Sequence, residues 1–155
     1  MLKMPVERSA GIIVFYHAPQ GRKYLVLRAS RDKSTLAKGK EVKEFWDFPK
    51  GRLEKGEQGI DAAKRELGEE AGIKKFEIIS GFKETVHYFT WHSGKPVPKF
   101  IAMFLAETKN AKVKLSWEHD KYEWLSYEDA LGRISLKPMK EALKNAEMFL
   151  EKHDQ

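Results

Sequence analysis

The stretch that most constrains this chain runs from Gly51 to Ile73, GRLEKGEQGIDAAKRELGEEAGI. Its second half reads as a helix: apolar Ile60, Ala63, Leu67 and Ala71 recur at three- and four-residue spacing, and Gly72 stands where a helix stops. On that helix Glu66, Glu69 and Glu70 fall at i, i+3 and i+4, so their carboxylates share one side. Like charges at those spacings cost a bare helix roughly 0.4–1 kcal/mol. A helix has no use for that arrangement, but a hard divalent cation does. Mg²⁺ takes oxygen ligands and keeps waters and substrate phosphates in its remaining positions. Gly51 and Gly56 mark a bent connection ahead of the helix. Arg65 can offer a planar fork to a carboxylate such as Glu57, which would fix that loop against the helix.

The whole chain sets the context. Its 155 residues fit one domain with a real core, spanning 1–155, and 41% hydrophobic with 34% charged residues is a globular composition. No run of 18 apolar residues exists, so no membrane span is expected. The N-terminus lacks the apolar core of a signal peptide and there are no cysteines, which makes a cytoplasmic protein the expectation. Few Asn and Gln and abundant Lys and Glu lean towards a thermophile. The net charge of +6 is uneven: Gly51–Ile73 holds six acids and four bases, a net −2, which leaves +8 elsewhere. An acidic site in a basic protein suits a polyphosphate, with carboxylates holding the cation and Lys or Arg the phosphates. The same charge leaves nucleic acid open as a partner, although no recognition motif is visible.

Ser9–Tyr16 and Lys23–Leu27 read as a strand pair about a Pro19-Gln20-Gly21 turn. The long basic segment 28–44 reads as a surface loop that could close over phosphates. Phe45–Lys50 is a short aromatic strand delivering the chain to Gly51, with Lys50 beside the site. After the helix, Phe76–Phe82, Thr85–His92, Phe100–Ala106 and Glu123–Leu125 read as strands, with a turn at Ser93-Gly94-Lys95-Pro96. Ser126 caps a short helix to about Arg133. Pro138 opens a last one, whose apolar face is Met139, Ala142, Leu143, Ala146, Phe149 and Leu150. This order gives a mixed β-sheet between helical layers, an α/β architecture.

Gly51, Glu57, Arg65, Glu66, Leu67, Glu69, Glu70, Gly72 and Ile73 match, without departure, the signature of the Nudix hydrolases, which the chain resembles. Seven fixed positions make a chance match roughly one in 10⁸ per starting point. The resemblance implies the Nudix fold, an α-β-α sandwich. It also implies hydrolysis of a nucleoside diphosphate linked to another group, with Mg²⁺ or Mn²⁺. Three outer stretches are similar to the asymmetric diadenosine tetraphosphate hydrolases: Arg8–Gly11, the hairpin with Gly81–Glu84, Tyr88, Lys95-Pro96 and Lys99, and Leu115–Trp124. Trp117 departs from a histidine there, and Leu136 stands about where those enzymes carry an aromatic ring.

The resemblance and phosphoryl chemistry together suggest roles. Glu66, Glu69 and Glu70 would ligate metal, helped by the Gly51 carbonyl and by Glu118 from a loop, with Glu66 or Glu118 as the base. Lys50, Lys83 and Lys99 are candidate phosphate contacts, Tyr88 would stack on adenine, and Tyr122 is a further candidate ligand contact. Trp117 or Phe89 could complete the stack. His87, His92 and His119 could act as acid–base groups but have no partner that sequence can name. Other Nudix substrates stay open: diphosphoinositol polyphosphates, nucleoside triphosphates or the 5′-triphosphate end of RNA. A ligand-sensing domain would be expected to lose box glutamates, and all are present.

Overall fold

The computed structural model describes residues 6–30 and 43–153. Elements follow in the order β1 Glu7–Ala18, β2 Gly21–Ala29, β3 Trp46–Asp47, β4 Lys50–Arg52, α1 Gly59–Ala71, β5 Glu77–Ile78, β6 Glu84–His92, β7 Lys95–Glu107, β8 His119–Leu125, α2 Tyr127–Arg133 and α3 Lys137–His153. The strands form one sheet in the order β3-β2-β1-β7-β5, with β8 on β2, β4 on β1 and β6 on β7. β1 and β7 run parallel and every other pair is antiparallel. β1, paired to β2, β4 and β7, is a nearly continuous buried run, as a central strand covered on both faces must be.

Alternation along β1 splits the core into two layers. Ala10, Ile12 and Val14 pack with Leu25 and Leu27 beneath α1, around Ala62, Ala63, Leu67 and Ala71. Ile13 and Phe15 face the other way, with Met103, Leu105, Met139, Leu143 and Ala146 beneath α2 and α3. The sheet is therefore covered by helices on both faces, the expected α/β sandwich. α3 buries Met139, Ala142, Leu143, Ala146 and Leu150. Ser126 Oγ accepts from Asp129 N–H at 3.2 Å, which caps α2.

Several boundaries differ from the sequence reading. The aromatic strand 45–50 breaks into β3 and β4, because Pro49 cannot donate; its carbonyl still accepts from Ile12 N–H at 3.0 Å. The turn after β6 is only Ser93-Gly94, with φ of 52° and 72°, the left-handed pair that a two-residue hairpin turn requires. Hence β7 starts at Lys95, with Pro96 and Pro98 opposite Trp91 and Phe89 at positions beyond the start of β1's pairing at Lys99. Between Phe76 and Phe82 only Glu77–Ile78 is strand, since the chain turns at Gly81, φ 92°. β8 begins at His119, four residues earlier than expected, because it pairs along β2. Most of the 28–44 loop lies outside the described residues. No described helix is long and apolar enough to cross a membrane.

Candidate active site

α1 presents Ala62, Ala63, Leu67 and Ala71 to the sheet, and the same buried face carries Glu66 and Glu70. Its spacing therefore drives two carboxylates partly out of water against β4. Glu70 is 4% exposed; one oxygen accepts from the Lys50 backbone N–H at 3.0 Å. Burial, followed by the charges of Glu66 and Glu118, pushes the Glu70 acid up to about 8, against the pull of that N–H. Burial also raises Glu66, with Glu69 and Glu118 adding to it and Arg65 opposing. Glu118, in the turn before β8, lines a cavity with Glu70, and its charge acts on both helix carboxylates. Glu69 stands apart from them: its side chain is 57% exposed and held by Arg65 at 3.1 Å.

Arg65 is the hub of the loop. Nε and Nη2 donate to the two oxygens of Glu57 at 2.9 and 3.0 Å, Nη1 to Glu66 at 2.8 Å, and Nη2 to the Arg52 carbonyl at 3.0 Å. Those bonds, with the Glu54 N–H, hold the Glu57 acid down at about 2. The fork expected from residues 57 and 65 is bidentate, and it spans the whole turn from β4 to α1. Gly51 lies so near Glu66 that a β-carbon there would stand 2.2 Å from the carboxyl carbon. Only glycine lets the backbone reach the carboxylate.

A cavity of about 230 Å³ opens beside these groups, lined by Asp47, Lys50, Glu70, Glu118 and His119 with an apolar wall that includes Phe45 and Phe48. Among the described residues no three Asp, Glu or His side chains stand as a closed cation cage. The donor set still fits a hard cation. Glu66, Glu70 and Glu118 are oxygen donors, the charge of Glu118 raises the proton affinity of both helix carboxylates, and Mg²⁺ sites use one or two carboxylates plus substrate phosphates.

The neighbouring sheet face gathers the cationic groups. Lys50 Nζ lies 3.4 Å from Asp47 Oδ2, and Lys99 Nζ lies 3.8 Å from Glu7 Oε2. Burial opposes the Lys50 charge, but Asp47, Tyr88 and Lys99 together outweigh it and the pKa rises; burial and the nearby Lys50 push Lys99 down. Lys99 sits over the Tyr88 ring, 5.8 Å from its centroid. Tyr88 and Leu136 pack against the same core layer. Burial lowers His119, whose Nδ1 is buried without a hydrogen-bond partner and so belongs to a neutral ring in the cavity wall.

Other sequence candidates lie elsewhere. Lys83 is exposed, 6.0 Å over the Phe104 ring, and lines a groove against α3. Tyr122 pairs with Leu27, a residue of the layer beneath α1, so it shares no face with Tyr88. His87 stacks on Phe100 at 4.6 Å, and Phe89 is 56% exposed. His92 Nε2 meets Glu7 Oε1 at 2.9 Å. Asp47 and Glu7 are two further residues of the site, each beside a lysine. An acid inside an aromatic strand, three residues before Lys50, is a readable signal for the first; Glu7 meets Lys99 only through the β1–β7 register.

Comparison with known proteins agrees with this geometry. Residues 7–149 match the NUDIX domain. The chain is 33% identical over 149 residues to the asymmetrical bis(5'-nucleosyl)-tetraphosphatase of Sus scrofa, covering 92% of this chain and 95% of that protein. It is 27% identical over 144 residues to an RNA pyrophosphohydrolase of Bartonella bacilliformis, covering 81% and 80%. The structure of a C. elegans Ap4A hydrolase binary complex superposes with a TM-score of 0.78 at 31% identity, covering 95% of this chain and 99% of that one. The chain belongs to the Nudix hydrolase family.

Proposed function

We propose that this chain, a single domain over 1–155 acting in the cytoplasm, hydrolyses diadenosine tetraphosphate asymmetrically to ATP and AMP. The observation that carries the reading is the convergence of Glu66, Glu70 and Glu118 beside Lys50. The similarity to asymmetrical tetraphosphatases over nearly the whole chain adds the substrate. Glu66, Glu70 and Glu118, with the Gly51 carbonyl and Glu69 at the rim, would hold Mg²⁺ or Mn²⁺. Such an ion, when bound, polarises a phosphoryl oxygen and activates water. Glu66 or Glu118 takes the proton of the water whose oxygen bonds to phosphorus as the bridging P–O bond breaks. Lys50 and Lys99 hold the polyphosphate and Tyr88 stacks on an adenine.

The test is nucleotide separation after incubation with Mg²⁺ and diadenosine tetraphosphate, using wild type, Glu66→Gln and Glu70→Gln. Turnover should fall by orders of magnitude in both variants with the fold retained; near-normal turnover in folded Glu70→Gln would sink the metal assignment. A second reading, another Nudix pyrophosphohydrolase, is supported by the +8 outside Gly51–Ile73. Tyr88→Ala separates nucleoside substrates, which it should harm, from a diphosphoinositol polyphosphate, which it should not.

A further inference from the structure

β8 breaks step once. Its register on β2 is regular from Leu125 to Lys121, with Leu25 opposite Trp124, Leu27 opposite Tyr122 and Arg28 opposite Lys121. The next residue of β2, Ala29, lies opposite His119, so Asp120 is one residue too many. Such a β-bulge re-aims side chains and recurs next to active sites. Strand alternation shows what the extra residue changes. Leu25, Leu27 and Trp124 belong to the layer beneath α1, and Leu27 and Ala29 line the glutamate cavity. A regular strand would set Asp120 opposite Ala29, on the cavity side, and turn His119 to the other face. The bulge brings His119 opposite Ala29 instead, and His119 and Glu118 reach the cavity wall.

The surplus residue is held by the end of β2. Arg28 Nε donates to Asp120 Oδ1 at 2.7 Å, and Nη1 donates to Glu44 Oε1 at 2.9 Å. The guanidinium lies over the Trp46 ring, 5.8 Å from its centroid, and Trp46 Nε1 donates to Glu44 at 3.1 Å. Asp120 therefore meets a fixed planar fork rather than a swinging surface chain. Two residues further on, Ser30 N–H donates to the Glu118 carbonyl at 2.8 Å and Ser30 Oγ to the Trp117 carbonyl at 2.7 Å. β2 thus grips the turn on both sides of His119, through Ser30 before it and Arg28 after it. A one-residue slip, which would bring Asp120 to the cavity and carry Glu118 away, must break both grips.

We propose that Arg28 and Asp120 are positioning residues, whose ion pair holds the bulge that aims Glu118 and His119 at the cavity. Neither acts on the reacting atoms; both act through the backbone of β8. The consequence for a bound cation rests on the proposed function, in which Glu118 is an oxygen donor, whereas the aim of the turn does not. A plain surface ion pair would change stability slightly and leave the cavity as it is. An electrostatic effect at a distance would also look different: removing the Asp120 charge and removing the Arg28 charge would shift cation affinity in opposite directions. Loss of aim shifts it the same way in both.

The test reads the turn and the cation separately. Diethylpyrocarbonate modification, followed by peptide mass spectrometry, reports how open each histidine is. In Asp120→Ala and in Arg28→Gln the His119 rate should rise about fivefold or more relative to exposed His17, as the turn opens. Mn²⁺ affinity, by isothermal titration calorimetry, should fall about tenfold or more in both, the usual loss when an outer partner of a ligand is removed. Asp120→Asn, which keeps an acceptor oxygen for Arg28 Nε, should recover most of both readouts. Glu44→Gln takes a charge from the same guanidinium but leaves the bulge its partner, so both readouts should stay within about twofold. In a Glu118→Gln background, Asp120→Ala should change Mn²⁺ affinity by less than about twofold, because the donor it aims is gone. An unchanged His119 rate in folded Asp120→Ala would overturn the proposal. So would opposite shifts in Arg28→Gln and Asp120→Ala, an equal loss in Glu44→Gln, or a loss that persists without Glu118. Wild type that binds no Mn²⁺ would refute the metal reading beneath it, and the His119 rate would then decide the positioning alone.

Discussion

The backbone of Gly51 lies against the carboxylate of Glu66, closer than any side chain at 51 allows; an added β-carbon would stand 2.2 Å from both the Glu66 carboxyl carbon and one of its oxygens. Gly51→Ala must therefore push Glu66 or the β4 backbone aside. A displacement of this size at a reacting centre costs on the order of 10²-fold. The expected outcome is a loss of about that magnitude in kcat/KM while circular dichroism keeps its native shape. Unchanged turnover would separate Glu66 from the chemistry.

Arg65 to Glu57 is the clasp of the β4–α1 loop. The Glu57 acid is held at about 2 against an ordinary 4.5, so its contribution to stability is complete above 4.5 and is lost as pH falls through about 2. Wild type and Glu57→Gln should therefore differ most near neutral pH and converge in strong acid. Hydrogen exchange at Glu54 N–H, which donates to Glu57 at 3.0 Å, should quicken in Glu57→Gln. An equally protected Glu54 amide in the variant would contradict the clasp.

Glu70 carries the opposite sign. Without a cation its acid lies at about 8, above the ordinary 4.5, so stability is full below 4.5 and declines as pH rises through 8. A cation that replaces the proton should stabilise the fold more at high pH. The expected result is a rise in Tm with Mn²⁺ or Mg²⁺ that is larger at pH 8 than at pH 5 and largely absent in Glu70→Gln. An equal rise at both values in wild type would count against Glu70 as ligand.

Asp47 is 5% exposed, takes Phe48 N–H at 2.8 Å on one oxygen and turns the other to Lys50 at 3.4 Å. Asp47→Asn keeps the volume but removes the charge that aims Lys50. KM for the polyphosphate should rise about tenfold, roughly 1.4 kcal/mol of coupling, and the effect should vanish when Lys50 is already Met. Additive losses in the double variant would assign Asp47 to folding instead.

The reach of the sequence follows the range of the interactions involved. α1, its glutamates and the Arg65–Glu57 fork are local, set by spacings of three, four and eight residues, and could be read directly. The α/β layers followed from the order of apolar segments. Glu69 is on the expected side of the helix, but the fork of Arg65 draws it outward, which spacing alone does not reveal. Glu7 beside Lys99, and Tyr122 turned to the layer beneath α1, depend on strand register across long separations. The extra length of β7, Lys95–Pro98, comes from pairing with β6 across the Ser93-Gly94 turn, which places Pro96 in a strand rather than in the turn.

The most direct test of the central claim is the product ratio from diadenosine tetraphosphate with Mg²⁺, resolved by anion-exchange chromatography. Equal ATP and AMP, lost on chelation and in Glu70→Gln, is the expected result. Intact dinucleotide, or ADP alone from a symmetric cut, would contradict it.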